Sequence, residues 1–131
     1  MNKISYLSYQ EELVRLRRHF HTWPEVSMEE KETAKYVFEY MKNLVLEPQM
    51  IGENGVVVMV WAPEEIRDTC HTVAVRSEMD ALFVQETNEV PWKSKKEGVM
   101  HACGHDGIVA AGLVLAKDAA CQISERSSGK C

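Results

Sequence analysis

The sequence predicts an α/β fold, on three observations. The first 45 residues carry apolar positions at helical spacing. The period then changes to continuous β-branched runs, and a long apolar helical stretch closes the chain. Two short strands are too few for a stable sheet alone, so the chain is expected to be part of something larger.

The first helix is expected over Ser8 to His21, where Leu13, Leu16 and Phe20 mark one stripe and Pro24 breaks the pattern. The second opens on Ser27-Met28-Glu29-Glu30, which reads as a capping box with Ser27 as N-cap and Glu30 three residues on. Ala34, Val37, Phe38, Met41, Leu44 and Val45 then follow one face, until Pro48. Asn54-Gly55 signals a turn. Val56 to Trp61 and Thr72 to Arg76 read as strands, with a charged loop over Pro63 to Asp68. The interval between them is too short for a crossover helix, so an antiparallel hairpin is expected. Leu82 to Val99 is irregular and could lie over a site. A third helix starts near Asp106. It is apolar nearly all round from Ile108 to Ala116, and so should be well buried. From about Ser124 the chain reads as a polar loop or disordered end.

At 131 residues, length indicates one domain, and 45% hydrophobic with 27% charged residues is the composition of a soluble globular protein. A net charge of −5 argues against nucleic acid as a partner. No apolar run approaches the length needed to cross a bilayer, and the first residues lack an apolar signal region. A cytoplasmic protein with reduced thiols at Cys70, Cys103, Cys121 and Cys131 is therefore expected.

The stretch richest in chemistry is His101-Ala102-Cys103-Gly104-His105-Asp106. In an extended segment alternate side chains share a face, so His101, Cys103 and His105 could meet at one point. Thiolate and imidazole are the usual ligands of zinc and related metals. His101 could equally face a substrate or a backbone carbonyl. Asp106 suits a helix cap better than a ligand. Asp80, at the end of the second expected strand, is either a turn residue or a carboxylate that orients a metal-bound imidazole. His19 and His21 diverge on a helix, which argues against a shared metal, and His71 is expected at the surface. Lys93, Lys95 and Lys96 read as a solvated loop face.

Several segments resemble the metal-dependent amidohydrolases that include hippurate hydrolases, N-acyl-amino-acid hydrolases and auxin-conjugate hydrolases, within the aminoacylase and carboxypeptidase superfamily. The resemblance runs from about Leu13 to Lys117. It rests on Arg17-Arg18-His19-Phe20-His21 with Pro24-Glu25, on Gly55-Val56-Val57, on Arg76 to Leu82, and most specifically on Gly98 to Gly107. Glu78, Phe83 and Ile108 depart from the usual Asp, Pro and His.

The resemblance implies the N-terminal portion of an α/β/α dimetal-hydrolase catalytic domain, with helices packed on a mixed sheet. Residues 1–123 would be family-like and 124–131 a tail, without the inserted lid or dimerisation domain. It implies that Cys103 and His105 are ligands of a divalent metal ion (Zn, Mn or similar), and that Asp80 supports the site. The implied reaction is hydrolysis of an amide in a small-molecule N-acyl amino acid or conjugate. The family's glutamate pair, which includes the general base, and its later histidine ligands would follow beyond Cys131. The chain alone is therefore expected to be inactive. The competing expectations are a non-catalytic metal- or partner-binding fragment derived from such an enzyme, and a thiol-redox protein acting through Cys103.

Overall fold

A computed structural model describes residues 3–127. The element order is α1 (Lys3–Thr22), α2 (Lys31–Asn43), β1 (Gln49–Ile51), β2 (Gly55–Val57), a 3-10 helix (Glu64–Thr69) and α3 (His105–Ser127). The core lies where three helices meet. Leu16 and Phe20 of α1, Val37 and Met41 of α2, and Val109, Ala110, Leu113 and Val114 of α3 form one buried cluster. These are the apolar stripes that helical periodicity marks out, and their burial from water is the main force joining the helices.

Helix α1 begins earlier than expected and ends as the sequence requires. Trp23 N–H still donates to the His19 carbonyl at 3.2 Å, and Pro24 follows. Helix α2 is capped differently from the sequence reading. The capping box does not form: the residue preceding the helix is Glu30, without a side-chain cap bond, and Ser27 is exposed. Glu25 does the capping instead. Its Oε2 accepts from Thr33 N–H at 2.7 Å and from Thr33 Oγ1 at 2.8 Å. Met28, at φ 71°, turns the chain so that Glu25 faces the helix start. Glu30 is used elsewhere, accepting from Asn54 Nδ2 at 2.9 Å.

The C-terminus of α2 is a Schellman turn. Leu46 N–H donates to the Met41 carbonyl at 3.3 Å and Val45 N–H to the Lys42 carbonyl at 3.0 Å. The left-handed position of that turn falls on Val45 (φ 61°), a β-branched residue where glycine is usual. Val45 is therefore 92% exposed, and does not join the apolar face as expected.

The expected hairpin of 56–61 with 72–76 is also replaced. β2 pairs with β1 in an antiparallel ladder, with Met50 opposite Val56 and Gly52 (φ 64°) in the turn. This pairing closes a much shorter loop than the expected one, and the shorter closure costs less entropy. Thr72 to Arg76 joins no ladder, and Val73 and Val75 are exposed. The expected charged loop contains the 3-10 helix instead.

Helix α3 extends through Ser127, so the polar segment from Ser124 is helical that far; residues 128–131 lie outside the described residues. Only one stripe of α3 is buried. Ile108 and Leu115 are 40% and 49% exposed, against the expectation of a helix enclosed on all sides. By length and composition alone, residues His105–Ser124 would suffice to cross a membrane, a length the sequence reading did not assign to any run. Their inner stripe is instead packed on α1 and α2. Tyr9 OH donates to Asp118 Oδ1 at 3.0 Å, and Lys117 Nζ pairs with Glu12, so polar contacts flank the packed stripe.

Candidate metal centre

The site is assembled from three segments. The stretch ending at Asp80 is held on two sides. Ala81 N–H donates to the Glu25 carbonyl at 2.7 Å, and Leu82 exchanges two 3.0 Å backbone bonds with Met100. Gly112 lets α3 approach this stretch closely, since a Cβ there would run into Ser77 Oγ. Asp80 is thereby placed against the first residue of α3. The third segment is the turn into α3. Gly104, at φ 106°, takes a conformation that other residues resist, and its carbonyl accepts from Gly107 and Ile108 N–H.

His105 Nδ1 lies 2.8 Å from Asp80 Oδ1 and 3.2 Å from the Asp80 carbonyl oxygen. Both partners accept, so Nδ1 carries the proton and Nε2 keeps its lone pair. A carboxylate behind an imidazole is the arrangement that orients metal-bound histidines. Cys103 is exposed. His101 is only 4% exposed, and neither of its ring nitrogens has a hydrogen-bond partner. Burial pushes its imidazole down to about 4, with His21 and His105 adding in the same direction against Asp106 and Asp80. The ring is neutral, and no backbone carbonyl receives it.

The alternating pattern therefore does not converge. Among the described residues, no group of three or more His, Cys, Asp or Glu is placed to hold a metal ion. The chain turns at Gly104, and His105 already belongs to the helix, so the strand-like alternation that would unite His101, Cys103 and His105 is broken. The structure brings His105 to Asp80 and leaves His101 unbonded.

Asp106 does more than cap the helix. It is 2% exposed, and its Oδ2 accepts from Arg17 Nε at 2.8 Å and pairs with His21 Nδ1 at 2.7 Å, while Oδ1 accepts from Gly107 N–H at 2.9 Å. On its other edge, His21 Nε2 lies 3.1 Å from Glu86 Oε1. Glu86 also accepts from Ser94 N–H at 2.7 Å. The sequence reading missed this buried network. Its signal was the spacing of Arg17 and His21, four residues apart on one face of α1. His19 does diverge from His21 and stacks on Tyr36 with ring centroids 4.1 Å apart. His71 is exposed, as expected. Lys95 and Lys96 are also exposed and Lys93 is half-buried.

Comparison with known proteins agrees with this architecture. Residues 74–127 match peptidase family M20/M25/M40. A Bacillus subtilis (strain 168) protein named "Putative amidohydrolase YhaA" is 44% identical over 108 residues, covering 82% of this chain and 26% of that protein. An uncharacterized hydrolase of Staphylococcus epidermidis is 37% identical over 101 residues, covering 77% of this chain and 25% of that protein. Among solved structures, Bacillus subtilis YxeP, described as a dinuclear metal-binding peptidase of the M20 family, superposes with a TM-score of 0.81 at 30% identity, covering 90% of this chain and 33% of that one. The fold is that of part of an M20-type α/β domain, and the matches support the superfamily indicated by the sequence motifs. The chain spans about a quarter of the length of these curated relatives.

Proposed function

We propose that the chain is the N-terminal part of the catalytic domain of a metal-dependent amidohydrolase acting on N-acyl amino acids or related conjugates, and that it supplies one half of the metal centre. The observation that carries this reading is the Asp80–His105 pair, which fixes the ring with Nε2 free to donate. Cys103, exposed two residues before His105, supplies the second donor. Thiolate and imidazole together suit zinc or a similar divalent ion. The donors fit such an ion only in part, because a catalytic site needs about three protein ligands and an open position. When bound, the ion supplies Lewis acidity, acidifying a water and polarising the scissile carbonyl.

The roles of this chain's own residues follow. Asp80 holds the His105 proton on Nδ1, and Cys103 and His105 bind. The irregular segment from Leu82 to Val99 borders the site through its bonds to Met100 and, by Glu86, to His21. By the resemblance, the general base and the remaining ligands would be supplied by residues other than those assigned here, and the chain alone is expected not to turn over substrate.

Titration with Co²⁺, which reports thiolate ligation by a charge-transfer absorption, tests the reading. Binding that is lost in both Cys103→Ala and His105→Ala, without hydrolysis of hippurate or an acetylated amino acid, is the expected result. Full binding in both variants would overturn the ligand assignment, and robust turnover by the pure chain would overturn the claim of inactivity.

A further inference from the structure

The buried network behind the metal motif contains a histidine with no part in the chemistry above. His21 is 3% exposed, and each of its ring nitrogens faces a carboxylate, Asp106 Oδ2 at 2.7 Å and Glu86 Oε1 at 3.1 Å. A neutral imidazole has one N–H and one lone pair. In that form one nitrogen would point its lone pair at a carboxylate oxygen inside a closed environment, where such repulsion is little screened. The doubly protonated ring satisfies both sides.

Charge counting gives the same answer. Asp106 and Glu86 are both 2% exposed, and Arg17 Nε reaches only Asp106. Burial alone would push the Glu86 carboxyl up. The Ser94 amide, with His21 and Asn88, outweighs burial and holds it below the usual carboxylate range. Glu86 is thus an anion whose cationic neighbour in hydrogen-bond contact is His21. His101, the other buried histidine, lies in the same electrostatic neighbourhood with no partner on either nitrogen.

We propose that His21, held between the Asp106 and Glu86 carboxylates with an N–H toward each, acts as a positioning residue, clamping the turn at Gly104–Asp106 to α1 on one side and to the Glu86–Ser94 loop on the other. Asp106 immediately follows His105, and its Oδ1 receives the Gly107 amide of the same turn. Fixing the Asp106 carboxylate therefore fixes the backbone that presents Cys103 and His105. Glu86 likewise takes the Ser94 amide, so the same cation organises the loop beside the site. The effect on metal binding rests on the ligand reading given under Proposed function; the charge state and the clamp do not.

The test uses the full chain with ¹⁵N-labelled histidine at neutral pH. The His21 resonances, assigned by their absence in His21→Gln, are expected to show protons on both ring nitrogens. A proton on one nitrogen alone overturns the charge state. Amide exchange at Ser94, Gly107 and Ile108 should accelerate in His21→Gln and slow again in His21→Gln/Glu86→Gln, where the uncompensated carboxylate is gone. A merely space-filling His21 would give no such recovery, and unchanged exchange in the single variant overturns the clamp. Should His21→Gln fail to fold, recovery of the circular dichroism spectrum in the double variant supports charge balance, and failure of both overturns it. Co²⁺ affinity should fall roughly tenfold in His21→Gln, in line with losses around other metal sites. Wild-type chain that binds no Co²⁺ sinks the ligand reading, while the spectra and exchange still decide the role of His21.

Discussion

His105 Nδ1 sits 2.8 Å from Asp80 Oδ1 across 25 residues of sequence, and this contact joins the extended segment that ends at Asp80 to the first residue of α3. It fixes the tautomer of His105 and the direction of Nε2 together. Replacing Asp80 by Asn keeps the shape and removes the charge. Co²⁺ or Zn²⁺ affinity of the chain is expected to drop roughly 10- to 100-fold in Asp80→Asn, as for other carboxylates behind metal-bound imidazoles. Isothermal titration measures this, and an affinity within about twofold of wild type would remove Asp80 from the site.

Helix α2 offers a contrast between a cap that the sequence suggests and a cap that the structure uses. Glu25 is buried, receives two hydrogen bonds from Thr33, and has Lys96 Nζ 3.7 Å away. Glu25→Ala leaves the Thr33 amide and hydroxyl unsatisfied, and is expected to cost about 1–3 kcal/mol. Ser27→Ala, at an exposed position outside the cap, should change stability by no more than about 0.5 kcal/mol. Urea unfolding of the two variants separates the alternatives, and a larger loss in Ser27→Ala would restore the capping box.

Helix stripes were readable in the sequence because periodicity is local. Leu16, Phe20, Val37 and Met41 are buried where their spacing puts them. What failed depended on partners remote in sequence. Ser27 and Glu30 have capping-box spacing, yet Glu25 reaches the helix first because the chain turns at Met28. Val73 and Val75 have strand character, but a strand needs a neighbour, and among the described residues none pairs with them. At the site, residue types were legible and convergence was not. Cys103 and His105 stand out by chemistry, whereas the role of Asp106 appears only once Arg17 and His21 arrive from α1.

The unpaired strand-like segments carry a consequence for behaviour in solution. Met59 and Trp61 are 46% and 56% exposed, and Val73 and Val75 are 82% and 64% exposed. Apolar, extended and unpaired backbone is a template for association with further strands. The isolated chain is expected to self-associate as its concentration rises, and Val73→Lys/Val75→Lys should shift it toward monomer with little loss of stability. Sedimentation velocity over a concentration series is the check. A monodisperse wild-type chain at every concentration would show that these edges are not adhesive.

Acid should loosen the contact between α1 and α3 through Glu12. Burial alone would raise this carboxyl, but hydrogen bonds from Lys117 and Tyr40, and the charges of Lys117 and Arg15, hold it below its ordinary value. Tyr40 OH donates to Glu12 Oε1 at 2.9 Å, so the one carboxylate joins α1 to both other helices. A carboxyl whose folded value is depressed binds its proton more readily in the unfolded chain. Its stabilisation is therefore complete above the unfolded value, roughly 4.3 for Glu, and is lost as pH falls through the lower folded value. Glu12→Gln removes the titrating group while keeping the side chain's length. The variant should be less stable than wild type near neutrality, and its stability should fall less steeply on acidification through that window. Thermal unfolding across a pH series measures both slopes. Parallel curves for the two proteins would mean that Glu12 contributes nothing to the acid response, leaving Glu86, also depressed, as the carboxylate to examine by the same substitution.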